Sequence, residues 1–291
     1  MSNPNLPLVS VICLCYNHQN YVRDAIDSVW QQTYPNIELI VVDDASEDNS
    51  QIVIKDHLID RDDIKFIALK ENLGNCSAFN KGWRESSGEF IIDLAADDLL
   101  LPERVAKGVE QLQLKGKEYG VHFSDAKLID RGGKHIGDHL TANFFNDSVP
   151  EGYLFTNLLE KYFINPVSMM YSRELLAYLG GYDETLTYED FDLWVRSSKK
   201  FKYCYSNEVL VAKRLLSSSH STGQYNPGSN ILKSTYRVCK KALDICETSD
   251  EYKALVVRIN FEMKQAAFSF NWSVVKDFFF LKRKVKKILK L

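Results

Sequence analysis

Short apolar segments alternate with amphipathic segments over about the first 100 residues, and this alternation limits the possible folds most strongly. Residues 8–15 and 37–42 are apolar and rich in β-branched side chains, as expected of buried strands, and residues 64–69 and 89–94 are predicted to be the third and fourth strands. Between them, apolar residues recur at helical spacing, for example every four positions in residues 18–32. Apolar strands separated by helices are typical of a parallel sheet covered on both faces. This part of the sequence therefore predicts a doubly wound, mostly parallel α/β fold.

The rest of the chain is predicted to be mixed and then helical. Pro102 opens a helix, residues 120–136 form a hairpin, and residues 166–171 form a short strand. Beyond about residue 229 the pattern is helical to the end. Among the helix starts, Ser46 is predicted to cap the helix that follows the second strand.

The last segment differs in charge from the rest of the chain. Residues 276–291 hold seven Lys or Arg and one Asp, a net charge of +6, whereas the whole chain carries −3. Phe278, Leu281 and Val285 recur there at helical spacing, with Ile288/Leu289 completing a stripe, which predicts a basic amphipathic helix. Such a helix fits two alternatives: peripheral contact with an anionic membrane through the stripe, or docking on the protein. The remaining residues carry −9 and argue against a nucleic-acid partner.

Composition favours a cytoplasmic protein, with peripheral contact at the cytoplasmic membrane face as the membrane alternative. The longest apolar runs fall short of the roughly 18 residues needed to cross a bilayer, and the N-terminus lacks the pattern of a secretory signal. The six cysteines are scattered and form no Cys-x-x-Cys pair. Cys13 and Cys15 lie inside a predicted strand, which favours buried apolar side chains over metal ligands.

Acidic pairs follow two of the predicted strands. They are Asp43-Asp44 and Asp97-Asp98. Ligands of parallel α/β sheets bind outside the carboxyl ends of the strands, and carboxylate oxygens suit Mg²⁺ or Mn²⁺ beside a phosphate group. Aspartates at such positions also form turns and cap helices. Spacing alone leaves both interpretations open.

Other catalytic signatures are missing, and one further acidic block is present. There is no G-x-G-x-x-G, no G-x-x-x-x-G-K-[ST] and no G-x-S-x-G, which argues against dehydrogenases, P-loop nucleotidases and α/β-hydrolases. Glu189 and Asp190 begin a helix predicted at residues 188–200. A carboxylate there can accept a proton from a substrate hydroxyl or simply cap the helix.

Several motifs occur in order within residues 8–215: VSVICLCYNHQNYVRDAIDSVWQQTYPNIELIVVDDASEDNS, the Asn80-Lys81-Gly82 helix, GEFIIDLAADDLLLPERV and GGYDETLTYEDFDLWVR. Together they resemble the family 2 glycosyltransferases of the GT-A fold. The resemblance implies an inverting, hexosyltransferase-type enzyme that moves a sugar from a nucleoside diphosphate, commonly UDP, to an acceptor hydroxyl. It also implies that the enzyme acts in surface polysaccharide or glycoconjugate synthesis, with a glycan or lipid-linked acceptor.

The same resemblance implies a GT-A-like domain at residues 1–225 and a helical extension at 226–291. The nucleotide-sugar half would occupy about residues 1–100 and the acceptor half about 101–225.

The resemblance also implies roles for individual residues. Tyr16 matches the aromatic residue that contacts the base, and Asp44 matches the carboxylate that reads the uracil edge. Asp97 matches the ligand of a Mn²⁺ or Mg²⁺ ion beside the diphosphate, and Asp190 matches the general base. Arg214 resembles an arginine near a segment that closes over the donor. The other residues assigned to donor binding are Asn17, Asp43, Lys81 and Asp98.

The chain departs from the family pattern at two places. Ala95 replaces the first acidic residue of the D-x-D motif, and Leu216 stands where the family usually has a histidine that His220 would have to replace. These departures motivate an alternative, a non-catalytic relative that binds nucleotide sugars or glycans. A nucleotidyltransferase would instead show a glycine-rich loop where this chain has Tyr16-Asn17-His18.

Overall fold

The computed structural model describes residues 6–216 and 223–290, so His220 lies outside the described residues. The contacts divide the chain into two compact units. The first consists of Met1–Gly152, Ile164–Glu184 and Phe201–Leu215, and the second of Tyr153–Phe163, Thr185–Lys200 and Leu216–Leu291. The predicted domains, 1–225 and 226–291, stay a prediction.

Within the described residues, the first unit is built on one sheet of nine strands. They are β1 (Val9–Cys15), β2 (Ile37–Asp43), β3 (Lys65–Ala68), β4 (Phe90–Ala95), β5 (Leu99–Leu100), β6 (Tyr119–Ile129), β7 (His135–His139), β8 (Met170–Ser172) and β9 (Lys202–Arg214). Their order is β3-β2-β1-β4-β8-β6-β9-β5, with β7 paired to β6. The strands β3, β2, β1 and β4 are parallel, as are β6 and β9, whereas β8 runs antiparallel to both its neighbours.

The helices cover the sheet in the first unit and form the second unit. They are α1 (Val22–Trp30), α2 (Ser50–His57), α3 (Asn75–Arg84), α4 (Arg104–Lys115), α5 (Phe155–Glu160), α6 (Arg173–Leu179), α7 (Asp190–Ser197), α8 (Asn230–Ile245), α9 (Ser249–Phe268) and α10 (Trp272–Leu289). Of these, α5 and α7 to α10 belong to the second unit. The predicted α/β class, the hairpin of β6 and β7 and the helical C-terminal region are confirmed.

Two local predictions are wrong. Ser46 does not cap α2, which begins at Ser50; its hydroxyl instead donates to Asp43 over 2.6 Å, because the loop before α2 folds back on the strand end. The strand predicted at residues 166–171 begins only at Met170. The preceding residues, Pro166–Ser168, form a 3₁₀ turn, since the fixed φ of proline suits the first position of a helix.

A polar group lies inside the core of the first unit. Arg104 and His122 are both fully buried, with Arg104 Nη1 3.1 Å from His122 Nδ1. Arg104 Nη2 donates to the Ser168 carbonyl over 2.7 Å, and His122 Nε2 lies 2.9 Å from Ser206 Oγ. Burial lowers the pKa of Arg104 to about 9. Burial and the charge of Arg104 lower the pKa of His122 well below its usual range, so His122 is neutral in the folded protein.

In the second unit, the basic amphipathic helix predicted at the C-terminus is α10. Its apolar stripe packs on α8 and α9, with Phe278, Leu281 and Val285 buried and the Phe278 ring edge-on to Tyr236 at 5.5 Å. The stripe is therefore already covered by protein, and the alternative in which it enters a bilayer is wrong for these three residues. Among the described residues, no helix combines the length and apolar character required to span a membrane.

Candidate active site

The register of the parallel strands brings three strand ends to one edge of the sheet. Cys15 pairs with Asp43 and Leu14 pairs with Ala95, so the residues that follow β1, β2 and β4 lie at the same edge. Tyr16, directly after β1, is 40% exposed there. Of the predicted site residues, this edge collects Tyr16, Asn17, Asp43, Asp44, Asp97 and Asp98.

Asn17 ties the loop after β1 to the loop after β2. Its φ of 58° is left-handed, a conformation that asparagine adopts more readily than most residues. Its N–H donates to Ser46 Oγ over 2.9 Å, and its Oδ1 accepts the Glu47 N–H over 2.8 Å. These bonds make Asn17 a loop-forming residue, and its contact with a donor stays a prediction.

The two aspartates at the end of β2 accept different hydrogen bonds. Asp43 is fully buried and accepts the Ser46 N–H, the Ser46 hydroxyl and the Gln51 amide at 2.9, 2.6 and 2.7 Å. Asp44 accepts the N–H groups of Leu73 and Gly74 at 2.7 and 2.9 Å. A carboxylate offers about four lone-pair positions, so these two bonds leave Asp44 with acceptor capacity. Asp43 fits the turn-forming interpretation, and its role towards a donor stays a prediction.

Arg214 clamps the turn that follows β4. Its backbone N–H donates to Asp98 Oδ1 over 2.7 Å, and its Nε donates to the Asp97 carbonyl over 2.9 Å. Its Nη1 donates to two carbonyls of the β6–β7 turn, at 3.2 and 3.1 Å. The side chain is 3% exposed. Arg214 therefore positions the acidic pair, and direct contact with a donor stays a prediction.

The acidic pair after β4 contains one buried and one more accessible carboxyl group. Asp98 is buried, and burial together with the charge of Asp97 raises its pKa to about 8. The side chain of Asp97 is 14% exposed, and its Oδ1 lies 3.9 Å from His18 Nε2. His18 was not among the predicted site residues, although its place in the loop after β1 is a signal that could have identified it.

The residues present fit a cation that is shared with a ligand. Within residues 6–216 and 223–290, no three His, Cys, Asp or Glu side chains are grouped so that they could hold a metal by themselves. Asp97 offers carboxylate oxygens, and His18 brings an imidazole nitrogen close to them. Mg²⁺ and Mn²⁺ accept oxygen ligands, and Mg²⁺ is commonly bound by one or two carboxylates with waters and substrate phosphates. The donor set therefore suits an ion completed by a diphosphate.

Lys81 lies on α3, six residues or about 9 Å along the helix axis from its first residue, and is exposed. Its neighbours have packing roles instead. A Cβ on Gly82 would meet Ile12 at 2.6 Å, so glycine allows α3 to lie close to the sheet. The role of Lys81 towards a donor stays a prediction.

Asn80, beside Lys81, anchors the GGYDE motif. Asn80 Oδ1 accepts the Tyr182 N–H and its Nδ2 donates to the Tyr182 carbonyl, each over 2.9 Å. The Tyr182 ring stacks on Phe79 at 4.1 Å, and its hydroxyl donates to Asp93 over 3.0 Å. Gly181 has φ 86°, and a Cβ there would collide with Asn80. Gly181 therefore serves close packing, which the sequence motif did not reveal, whereas Gly180 is the left-handed C-cap of α6.

Asp190 lies in the second unit, as the first residue of α7. The helix dipole at this position favours an ionised carboxylate. The beginning of α7 is fixed to α8, because the Tyr188 hydroxyl lies 2.7 Å from Thr235 Oγ1 and the buried Asp192 accepts a hydrogen bond from Lys241. The helix predicted at residues 188–200 is present but spans Asp190–Ser197, with Glu189 as its N-cap, and the catalytic role of Asp190 stays a prediction.

Comparisons with known proteins agree with this arrangement. The model of the family described as glycosyl transferase family 2 matches residues 10–179. An uncharacterized glycosyltransferase of Rickettsia typhi is 31% identical over 214 residues, 73% of this chain and 65% of that protein. The putative teichuronic acid biosynthesis glycosyltransferase TuaG of Bacillus subtilis is 27% identical over 220 residues, 75% of this chain and 83% of that protein. The chain spans 33% to 65% of the length of the five Rickettsia relatives compared.

Solved structures share the fold. S. aureus TarS 1–349 in complex with UDP-GlcNAc has a TM-score of 0.68 at 18% identity, over 87% of this chain and 72% of that chain. Mannosyltransferase PcManGT from Pyrobaculum calidifontis, in complex with GDP-Man and Mn²⁺, has a TM-score of 0.64 at 18% identity, over 94% of this chain and 76% of that chain. These likenesses confirm the GT-A-like fold. Because the family model also matches more than half of the sequence, the chain belongs to glycosyltransferase family 2.

Proposed function

We propose that this protein is an inverting glycosyltransferase that moves a sugar from a nucleoside diphosphate, with UDP as the nucleotide, to an acceptor hydroxyl. The observation that carries the proposal is the convergence of Tyr16, Asp44 and Asp97 at one edge of the sheet in a chain of this family. Ligands of such sheets bind at this edge. The complexes of TarS with UDP-GlcNAc and of PcManGT with GDP-Man support a nucleotide-sugar donor.

The base of the donor is proposed to lie against Tyr16, whose exposed ring offers a stacking surface. Asp44 would accept the N–H of the uracil edge with the acceptor capacity that Leu73 and Gly74 leave free. Asn17 and Asp43 would shape the loops that carry these two residues, and Asp98 and Arg214 would hold the turn that carries Asp97. Lys81, exposed on α3, remains a candidate for donor binding.

Asp97, with His18 nearby, is proposed to hold a Mn²⁺ or Mg²⁺ ion, and the Mn²⁺ in the PcManGT complex supports this choice. When bound, the ion supplies positive charge that stabilises a leaving diphosphate. Asp190 is proposed to take the proton of the acceptor hydroxyl as that oxygen attacks the anomeric carbon. Attack on the face opposite the leaving group inverts the configuration at this carbon.

The acceptor is proposed to be a glycan or a lipid-linked glycan of surface polysaccharide synthesis. The name of the Bacillus subtilis relative, which refers to teichuronic acid biosynthesis, supports this class. A lipid-linked acceptor would make peripheral contact with the cytoplasmic face of a membrane useful to the enzyme.

Release of nucleoside diphosphate from a panel of nucleotide sugars, with Mn²⁺ or Mg²⁺ and with or without glycan acceptors, tests the proposal. We expect acceptor-dependent release of UDP from at least one UDP-sugar, and product analysis should give the inverted anomer. The retained anomer would contradict the proposed mechanism.

A second candidate function is favoured by one observation, the alanine at position 95 in place of an acidic residue. A non-catalytic relative would bind a nucleotide sugar without releasing the diphosphate. Measuring donor binding by calorimetry beside the release assay separates the candidates, because binding without turnover across the panel supports the second. The variant Ala95→Asp provides the matched comparison, since it restores the family residue.

A further inference from the structure

α10 carries a second apolar surface besides the stripe that packs on the protein. Trp272, Phe279 and Phe280 are 62%, 48% and 53% exposed. Lys276, Arg283 and Lys287 are also exposed, and at 100° per residue all six side chains fall on the side of α10 opposite its buried stripe. We call these six residues the outward face of α10.

The end of α9 and the turn before α10 add two more exposed rings. Phe268 and Phe270 are 71% and 72% exposed. Phe270 has φ 58°, at the position after the α9 C-cap where a left-handed residue is usually glycine. A phenylalanine is unfavourable there, both in backbone conformation and in exposed apolar area. The ring is therefore presented to the surroundings at a cost in stability that a glycine would avoid.

The charge of α10 indicates which kind of surface these rings bind. The helix holds six Lys or Arg and one Asp, a net charge of +5. No salt bridge within residues 6–216 and 223–290 engages any of its basic side chains. Aromatic rings at headgroup depth, flanked by cations, suit an anionic bilayer surface. A second copy would instead set one +5 helix against another, which disfavours self-association.

We propose that the outward face of α10, together with Phe268 and Phe270, docks on an anionic membrane surface. The helix lies in the interface plane, with the rings among the lipid headgroups and Lys276, Arg283 and Lys287 against the lipid phosphates. This surface is the reverse of the stripe that the sequence pattern selected, because Phe278, Leu281 and Val285 pack on the protein.

Tryptophan emission of the wild-type protein tests the docking directly. The chain has four tryptophans, all among the described residues, and Trp272 is the one that is exposed. Adding vesicles of phosphatidylglycerol and phosphatidylcholine should shift the emission to the blue, whereas pure phosphatidylcholine should give a much smaller shift. Trp272→Phe should remove the shift and keep most of the binding in co-sedimentation. An unchanged emission of the wild-type protein would overturn the proposal.

Charge reversal with a matched control tests the role of the cations. The triple variant Lys276→Glu, Arg283→Glu, Lys287→Glu should bind anionic vesicles at least about a hundredfold more weakly. Reversing three exposed lysines of the first unit, Lys55, Lys70 and Lys117, changes the net charge equally and should leave most of the affinity. An equal loss of vesicle affinity in the two variants would show that only net charge matters. It would contradict binding through a specific face.

Two further outcomes would reassign the surface. A concentration-dependent dimer in light scattering that Phe279→Ser with Phe280→Ser abolishes would make a second copy the occupant. Binding to single-stranded nucleic acid that exceeds binding to vesicles would make nucleic acid the partner. The vesicle assay needs neither donor nor acceptor, so its failure would leave the proposed transferase activity untouched.

Discussion

Two adjacent aspartates after β4 have different surroundings, and this difference separates their roles. Asp98 is buried and accepts the backbone N–H of Arg214, whereas the side chain of Asp97 keeps some exposure beside His18. Only a carboxylate that a ligand can reach is able to share a cation with a diphosphate. At the scale of residues, ion binding is therefore the role proposed for Asp97, and positioning is the role proposed for Asp98.

Replacing Asp97 by alanine should weaken metal-dependent donor binding by at least about 10- to 100-fold, because it removes the proposed direct ligand and even the loss of an outer-shell partner typically costs that much. Titration of the donor by calorimetry, with Mn²⁺ and with a chelator, measures the effect. Asp62→Ala, at an exposed acidic residue before β3, is the control and should behave like the wild type. Mn²⁺ dependence that survives in Asp97→Ala would rule out this ligand.

Replacing Asp190 by asparagine should lower kcat by about 10²- to 10⁴-fold, since the amide cannot accept the acceptor proton. The Kd for the donor should stay near the wild-type value, because the proposed role concerns the acceptor. Steady-state kinetics and donor titration measure the two effects separately. Glu189→Gln, at the N-cap of α7, controls for loss of charge at the helix start. Near-normal turnover of Asp190→Asn would refute the assignment.

At the scale of elements, close contacts between distant segments fix the GGYDE motif. α3 presents Asn80 to the backbone of Tyr182, and this pairing requires that the residue before Tyr182 carry no Cβ. The motif thus ties α3 to the segment after α6, in the same unit as the strand ends.

Gly181→Ala and Gly180→Ala form a matched pair that tests this contact. Both glycines have positive φ, so each alanine should destabilise the protein by about 1–2 kcal/mol through its backbone conformation. A Cβ on Gly181 also collides with Asn80, whereas none of the surrounding atoms lies within 4 Å of a Cβ on Gly180. Gly181→Ala should therefore lower the free energy of unfolding, measured with urea, by about 1–3 kcal/mol more than Gly180→Ala. Equal losses of stability in the two variants would show that the structure around Asn80 relaxes without cost.

At the scale of the whole molecule, stability should depend on pH through the buried pair of His122 and Arg104. The pKa of His122 is lowered in the folded protein, so below the ordinary value of about 6.5 the unfolded chain binds a proton that the folded chain does not. This contribution to stability is present above that pH and is lost as the pH falls towards the folded pKa. The expected slope is up to about 1.4 kcal/mol per pH unit.

Urea unfolding between about pH 7 and pH 5 measures this slope. His122→Gln is the control, because its amide can still accept from Arg104 and donate to Ser206 but does not titrate. The difference in slope between the two proteins isolates His122 from the other titrating groups. Parallel pH profiles would contradict the assignment.

Much of the fold and the position of the site follow from the sequence by itself. The alternation of apolar strands and amphipathic helices determines the α/β sheet, because side-chain periodicity is a local property of each segment. The parallel order then sends Tyr16, Asp44 and Asp97 to one edge, since parallel strands end on the same side.

Tertiary contacts decided the burial and the hydrogen-bond partners of individual residues, which local sequence patterns do not specify. They buried Asp43 and Asp98, engaged Arg214 with backbone carbonyls and left Lys81 exposed on α3. They also selected which side of α10 is covered, a choice that depends on α8 and α9. Residues of one type at one spacing became buried, hydrogen-bonded or exposed according to partners far away in the chain. The physical reason is that burial and long-range hydrogen bonds depend on contacts between segments distant in the sequence, whereas side-chain periodicity is a property of each segment by itself.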